Sequence, residues 1–524
     1  MRMYGFCSGA LWKGGKTKIR PSHVTMSMYS DTIYALSTGV GRAGVAVVRV
    51  SGADAGTCLL QLCSLEKLPA ARKATLRKVI HPKAKEVVDE ALVLYFPQPR
   101  SFTGEDVAEL HVHGSYAVIK STLEALSLVD PEQGRRIRPA ERGEFTRRAF
   151  ENGRMDLTEV EGLADLIASE TTEQRKQALK QMSGHLRQYY ESWREQLKSC
   201  LAFAEAVIDF GEDVDESALL EILPKATEVV EEMKTHLKDG RRGEIVRSGV
   251  KLAIIGPPNA DPSRILVRVG GKSVAKWQAE KLGLSMAQGN LRKSSLLNEL
   301  ARRPAAIVSP IAGTTRDVVQ VNLDLGGMSV VVSDTAGIRT QTDDVIEQEG
   351  IRRAWATAEE ADIVLCVVDA SEQSNDGNQW IANDTVNTRK IIVANKADLV
   401  GEQKGLISRS LQDVPVRYIS CKTGDGIQPL LDELEKIIKD AIVGDTKGKE
   451  MPLITRQRHR QHVQACITAL ETFLEGCEAN GGTLPLDIAT EELRIATKEI
   501  GLVTGIVHVE EVLDVVFSEF CIGK

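Results

Sequence analysis

Lys251-Leu252-Ala253-Ile254-Ile255-Gly256-Pro257-Pro258-Asn259-Ala260 reads as an apolar β-strand running straight into the first glycine of a phosphate-binding loop. A complete loop of this kind has the form G-x-x-x-x-G-K-[ST]. Its backbone amides cradle the phosphates, and the glycine before the lysine lets the chain approach them. Here the expected ending, Lys293-Ser294-Ser295-Leu296-Leu297-Asn298, follows only after the intervening stretch 261–292. Arg292 stands where the second glycine belongs; deleting 261–292 and restoring one glycine would complete the motif. The stretch does not carry its own copy. Gly271-Lys272-Ser273 has the right ending, but the opening glycine would have to be residue 266, which is Leu266. Three readings of 261–292 stay open: translated intron or a gene-model error, a splice form without hydrolysis, or a loop that extrudes while Lys293 still docks.

Further along, apolar strand candidates at Ser329–Ser333, Ile363–Asp369, Lys390–Ala394 and Val416–Ile419 alternate with helical text at Ser295–Arg302, Ile346–Ala358 and Gln428–Lys439. This is the rhythm of a doubly wound parallel sheet. The polar elements fall in a set order at strand ends. Gly313-Thr314-Thr315-Arg316-Asp317 offers a hydroxyl to a magnesium ion. The acid of Asp334-Thr335-Ala336-Gly337 suits the same ion through water, and its glycine amide suits a γ-phosphate. In Asn395-Lys396-Ala397-Asp398 the carboxylate can accept both guanine N1–H and N2–H, and Ser420-Cys421-Lys422 sits where a backbone amide would meet guanine O6. Each tetrapeptide alone is weak; together, in this order, they predict a guanine-nucleotide fold.

The chain has 524 residues, enough for about three or four domains. From Asp31 the runs Val45–Val50, Ala91–Phe96 and Val107–Val112 predict a small α+β domain to residue 141. Helical text fills 142–245, where apolar residues from Leu179 to Ile208 at three-and-four spacing predict one long amphipathic helix. The α/β segment occupies 246–444, and helical text resumes over 445–524, so the α/β domain reads as inserted into a helical one. Residues 1–30 are basic and carry no acid, the character of a transit peptide. A net charge of −7 excludes a uniformly basic nucleic-acid-coating protein, though not a local basic surface. Nine scattered cysteines argue for a reducing compartment, and no apolar run approaches the roughly 20 residues of a membrane span.

The sequence closely resembles the MnmE/TrmE family of tRNA-modification GTPases in its eukaryotic mitochondrial branch. The resemblance runs from about Asp31 to Lys524, broken at 261–292. Its specific marks are Gly39-Val40-Gly41-Arg42-Ala43-Gly44-Val45, Ser101-Phe102-Thr103-Gly104-Glu105-Asp106, Arg142-Gly143-Glu144-Phe145-Thr146 and Phe520-Cys521-Ile522-Gly523-Lys524.

The resemblance implies a multidomain α+β and α/β protein, with an N-terminal folate-binding domain, a discontinuous helical domain and an inserted Ras-like P-loop G domain. It implies a mitochondrial-matrix homodimer acting with a flavin (FAD) protein of the MnmG/GidA type on C5 of the wobble uridine (U34) of mitochondrial tRNA. 5-Formyl- or 5,10-methylene-tetrahydrofolate would supply one carbon, and taurine or glycine would complete the group. Folate would meet Arg49, Glu109, Arg154 and Lys524. GTP would meet Asn259, Lys293, Ser294, Ser295, Ser309, Thr314, Thr315, Asp334, Thr335, Ala336, Gly337, Asn395, Lys396, Asp398, Ser420, Cys421 and Lys422. Mg2+ falls to Ser294 and Thr315, and K+ to Asn259, Ser309, Ile311 and Thr314. Glu347 matches the catalytic glutamate that orients the attacking water through a second water. Two other readings remain: a folate-binding scaffold or non-hydrolysing isoform disabled by the insert, and a ribosome-assembly GTPase switch.

Overall fold

The structure, a computed structural model, describes residues 31–131, 135–209, 217–239, 241–256, 268–269, 272–273, 296–297, 299–300, 306–307, 319–334, 345–371, 389–400, 415–443, 453–477, 485–507 and 510–523. The chain divides into two compact units, 1–155 with 515–524, and 156–514.

In the first unit, strands β1 (Thr32–Leu36), β2 (Ala43–Ser51), β3 (Thr75–Ile80), β4 (Val87–Phe96), β5 (Val107–Gly114) and β6 (Ile137–Pro139) form one sheet in the order β3-β4-β5-β2-β1-β6. Side chains alternate across a strand, so each strand divides its residues between two faces. Val48, Val50, Val93, Ala108, Leu110 and Val112 pack with Leu59 and Leu62 of helix α1 (Ala55–Leu62) and Leu126 of α2 (Tyr116–Ser127). Ser115 caps α2, its hydroxyl accepting the Val118 amide. On the opposite face Ile33 and Ala35 bury Phe145 of α3 (Glu144–Glu151). Gly143 opens α3 in a left-handed conformation, φ 69°, and a Cβ there would lie 2.4 Å from the Phe517 carbonyl oxygen. Only glycine fits that backbone and that approach.

The second unit begins with α4 (Leu157–Ala168), whose N-cap Asp156 and Glu159 exchange capping-box hydrogen bonds. Helices α5 (Thr172–Met182), α6 (His185–Asp209), α7 (Ser217–Leu237) and α8 (Arg242–Ser248) follow. The single helix expected from Leu179 to Ile208 is therefore two, broken at Ser183-Gly184, where Gly184 turns to φ +81°. The buried stripe of α6 is Leu186, Tyr190, Trp193, Leu197, Cys200, Ala204 and Val207. Leu179 and Ile208 are exposed, so the expected stripe was out of phase at both ends. The α6 stripe from Leu186 to Ala204 shares one core with Val229 and Met233, and with Val463, Leu470, Phe473, Leu493 and Ile500 from beyond the α/β segment.

That segment forms a seven-stranded sheet in the order β10-β11-β12-β7-β13-β14-β15. Its members are β7 (Val250–Ile255), β10 (Ala306–Ile307), β11 (Val319–Leu325), β12 (Met328–Asp334), β13 (Ile363–Asp369), β14 (Arg389–Asn395) and β15 (Val416–Tyr418). The run β12-β7-β13-β14-β15 is parallel throughout. Central β13 is buried at every residue, as a strand covered on both faces must be. Inside the interrupting stretch, Arg268–Val269 (β8) pairs antiparallel with Lys272–Ser273 (β9). Lys272 and Ser273 thus belong to a strand pair and not to the turn of a phosphate-binding loop.

Candidate functional site

Parallel strands send all their carboxyl ends to one edge of the sheet, where ligands of open α/β folds bind. Gly256 leaves β7 there, Asp334 ends β12, Asp369 ends β13 and Asn395 ends β14. Asn395 is buried, and its side-chain oxygen accepts the amides of Lys396 at 2.8 Å and Cys421 at 3.1 Å. One side chain therefore ties the turn after β14 to the loop after β15. A second tie crosses the same gap: the fully buried Ser420 hydroxyl donates to Asp398 Oδ1 at 2.7 Å. Ser420 also holds its own loop, accepting Thr423 N on its hydroxyl and Gly424 N on its carbonyl. Lys396 takes a left-handed backbone, φ 65°, and its ammonium lies 3.0 Å from Asp369 Oδ2.

An acceptor-only carboxylate fixed at one oxygen still offers lone pairs to two neighbouring N–H donors, the edge that guanine presents. Burial, with Glu299 nearby, pushes the Cys421 thiol up to about 12, so a neutral S–H borders this pocket at physiological pH. Neither Asp369 nor the second hydrogen bond of Asn395 was among the sequence expectations. The signal was present: an acid closing a wholly apolar strand has to find a partner.

Asn259, Lys293, Ser294, Ser295, Ser309, Ile311, Thr314, Thr315, Thr335, Ala336, Gly337 and Lys524 lie outside the described residues, as do residues 1–30. Asp334 and Glu347 are described by their backbones, at the end of β12 and in the first turn of the helix Val345–Glu359. Lys422 is exposed beside Cys421.

The second cluster lies in the other unit. Arg49 and Glu109 are cross-strand partners on β2 and β5. Arg49 Nε donates to Glu109 Oε1 at 3.1 Å, while His111 Nε2 lies 3.2 Å from Oε2. The Arg49 guanidinium faces Phe102 at 5.1 Å and Phe145 at 5.9 Å. Neither charge is a solvated surface group, with side chains only 20% and 17% exposed. Arg154 reaches the loop that carries Phe102, donating to the Ser101 carbonyl at 3.1 Å. The loop is fixed from beneath by the fully buried Arg148, which bonds Glu105 and Glu144. Ser51 adds a 2.8 Å hydrogen bond to Glu105. The C-terminal segment returns to this region: Ser37 donates to the Gly523 carbonyl at 2.9 Å, and Ile522 bridges to Arg142. Gly523 thus meets the end of β1, one residue from Ala35, the cross-strand partner of Arg49. The donor set is one carboxylate between a guanidinium and an imidazole, with two guanidinium groups around one loop. It suits a ligand that has an amide-like N–H edge and an anionic tail.

A parallel sheet that gathers an Asn-Lys-x-Asp turn and a serine-anchored loop at its carboxyl edge defines a guanine-nucleotide-binding α/β domain. The MnmE helical domain family matches residues 157–521, and the family "GTP-binding protein TrmE N-terminus" matches 32–154. The mitochondrial 5-taurinomethyluridine-[tRNA] synthase subunit GTPB3 of Danio rerio is 42% identical, covering 99% of this chain and 95% of its own length. Its Homo sapiens counterpart is 42% identical over 94% of this chain and 93% of its own. The tRNA modification GTPase MnmE of Parvibaculum lavamentivorans is 44% identical over 94% of this chain and its own full length. The chain belongs to the MnmE/TrmE family of tRNA-modification GTPases.

Proposed function

We propose that the protein is a potassium-stimulated GTPase of the mitochondrial matrix, working as a homodimer with an FAD protein of the MnmG/GidA type. Its product is a taurinomethyl- or carboxymethylaminomethyl-type group at C5 of the wobble uridine (U34) of mitochondrial tRNA. The observation that carries the nucleotide half of this reading is the double tie of Asn395 to Cys421 N and Ser420 to Asp398. It holds the Asp398 carboxylate and the loop after β15 together as the two sides of one base site. The names of the relatives support the tRNA half.

In this reading Lys293 and the amides of Thr335, Ala336 and Gly337 cradle the phosphates, and Glu347 orients the attacking water through a second water. Ser294 and Thr315 would hold Mg2+. Asn259, Ser309, Ile311 and Thr314 would hold K+ with amide, hydroxyl and carbonyl oxygens, a hard donor set suited to such cations. A cation at that place offsets charge developing between the β- and γ-phosphates. Glu109 would accept the pterin edge of a tetrahydrofolate, while Arg49, Arg154 and Lys524 would take its carboxylates. The bound folate would supply one carbon. The G domain is read as inserted into a discontinuous helical domain.

The test is GTP binding and hydrolysis in potassium versus sodium buffer, comparing this chain with one in which Asp261–Arg292 is replaced by a single glycine. Activity confined to the repaired chain means that the family function stands and that 261–292 is a gene-model artefact or an inactivating splice form. Equal potassium-dependent activity in both means the loop closes despite Arg292. Absence of hydrolysis from both would sink the GTPase reading.

A further inference from the structure

Between Lys67 and Lys85 the sequence carries seven lysines and arginines and not one aspartate or glutamate, in a protein of net charge −7. The fold gathers these residues at one place. Residues 75–80 form β3, the outermost strand of the N-terminal sheet, with turns before and after it. Lys67, Arg72, Lys73, Arg77, Lys78, Lys83 and Lys85 are all exposed. Among the described residues Lys78 pairs on this edge with Glu90, at 3.7 Å and with both side chains more than half exposed, and Arg72 donates to the Arg100 carbonyl. Arg72 and Lys85, in the flanking turns, hold left-handed backbones at φ 59° and 57°, where glycine or asparagine is the cheaper choice.

Edge strands are commonly guarded by a charge or two against pairing with other chains. Seven cations without an intervening acid exceed that need, and they repel one another unless an anion lies across them. A six-residue strand spans about 20 Å and turns successive side chains to opposite faces, so Arg77 and Lys78 stand on opposite sides of the edge and the turns at its ends carry the other five cations. We propose that this basic edge, β3 with its two turns, is a docking surface for the phosphate backbone of the RNA substrate. The inference rests on the tRNA reading above and adds where that RNA is held. Such contacts position a nucleic acid without reading its sequence, which fits an enzyme whose specificity is exercised at one base.

The test measures binding of an unmodified tRNA transcript to the full chain across a salt series. It compares the unvaried protein with Lys73→Gln/Arg77→Gln/Lys78→Gln and with a control of equal charge change, Lys198→Gln/Lys234→Gln/Lys498→Gln. Losing three phosphate contacts should lower the slope of log affinity against log salt by about two to three and weaken binding at least tenfold. The control should leave both unchanged. Equal slopes and affinities for the edge variant and the unvaried chain would overturn the proposal while leaving the tRNA reading intact. No tRNA binding by the unvaried chain would overturn both. Unchanged tRNA binding with lost adhesion to phosphatidylserine vesicles would reassign the edge to a membrane surface and overturn it as well.

Discussion

Ser420 and Asp398, twenty-two residues apart, are joined by a 2.7 Å hydrogen bond in which the serine is fully buried and the carboxylate stands at the rim of the sheet. The bond fixes the orientation of the carboxylate through its Oδ1. In the chain with 261–292 replaced by glycine, Ser420→Ala should weaken guanine-nucleotide binding about tenfold, the worth of one hydrogen bond to a charged group. Asp398→Asn replaces an acceptor pair by an acceptor and a donor. It should lower GTP affinity further and shift preference toward a xanthine nucleotide, which carries a carbonyl at position 2. Titration with fluorescent nucleotides reads both.

Arg148 is buried between Glu105 and Glu144 and holds the loop on which Phe102 and Thr103 sit. Arg148→Met should cost about 3–5 kcal/mol, because two buried carboxylates lose their countercharge. Denaturant unfolding of the full chain, followed in the transition of this unit, measures it. A cost below 1 kcal/mol would mean that Arg138, also paired with Glu144, carries the network alone.

His236 is buried against Tyr190, whose hydroxyl lies 3.3 Å from its Nε2. Burial, only partly opposed by Asp239, holds its pKa down to about 4 from the ordinary 6.5. Below 6.5 the unfolded chain takes up a proton that the folded chain refuses until about 4. Stability from this group is therefore level above pH 6.5 and falls across that window by up to about 3 kcal/mol. Thermal unfolding between pH 7 and 4 should show the slope, and His236→Gln should flatten it. An unchanged slope in the variant would assign the effect to another group.

Gly523 packs so closely that a Cβ would lie 2.0 Å from the Leu36 carbonyl oxygen, on a backbone at φ +95°. Gly523→Ala should detach the C-terminal segment from β1. Limited proteolysis should then remove it faster, and the proposed tetrahydrofolate binding should weaken with it. Unchanged cleavage would show that the Arg142–Ile522 bridge alone suffices.

Much of the α/β segment was legible in the sequence, because buried parallel strands are continuous apolar runs and the polar motifs stand at their ends. The side-by-side placement of Glu109 and His111 was equally open to reading, since period two puts both on one face. The helix break at Gly184 was not: apolar spacing on either side continues the period, and a single φ sign change leaves no mark on it. The partners of buried charges were also invisible. Arg148 finds Glu105 across forty-three positions, and Lys396 finds Asp369 through the pairing of two strands. Such pairs are fixed by topology, which spacing alone does not encode.

The return of residues 515–523 to Gly143, Arg142 and Ser37 bears on how the protein is made. The N-terminal sheet is synthesised early, but its seat for Phe517 and Gly523 stays empty while roughly 360 more residues are added, on the order of 20–70 s at ordinary translation rates. During that interval the nascent chain carries an incomplete domain, with the contacts of Phe517 on α3 and of Gly523 at the end of β1 still unmade. Completion of the first unit therefore waits on the last residues of the chain.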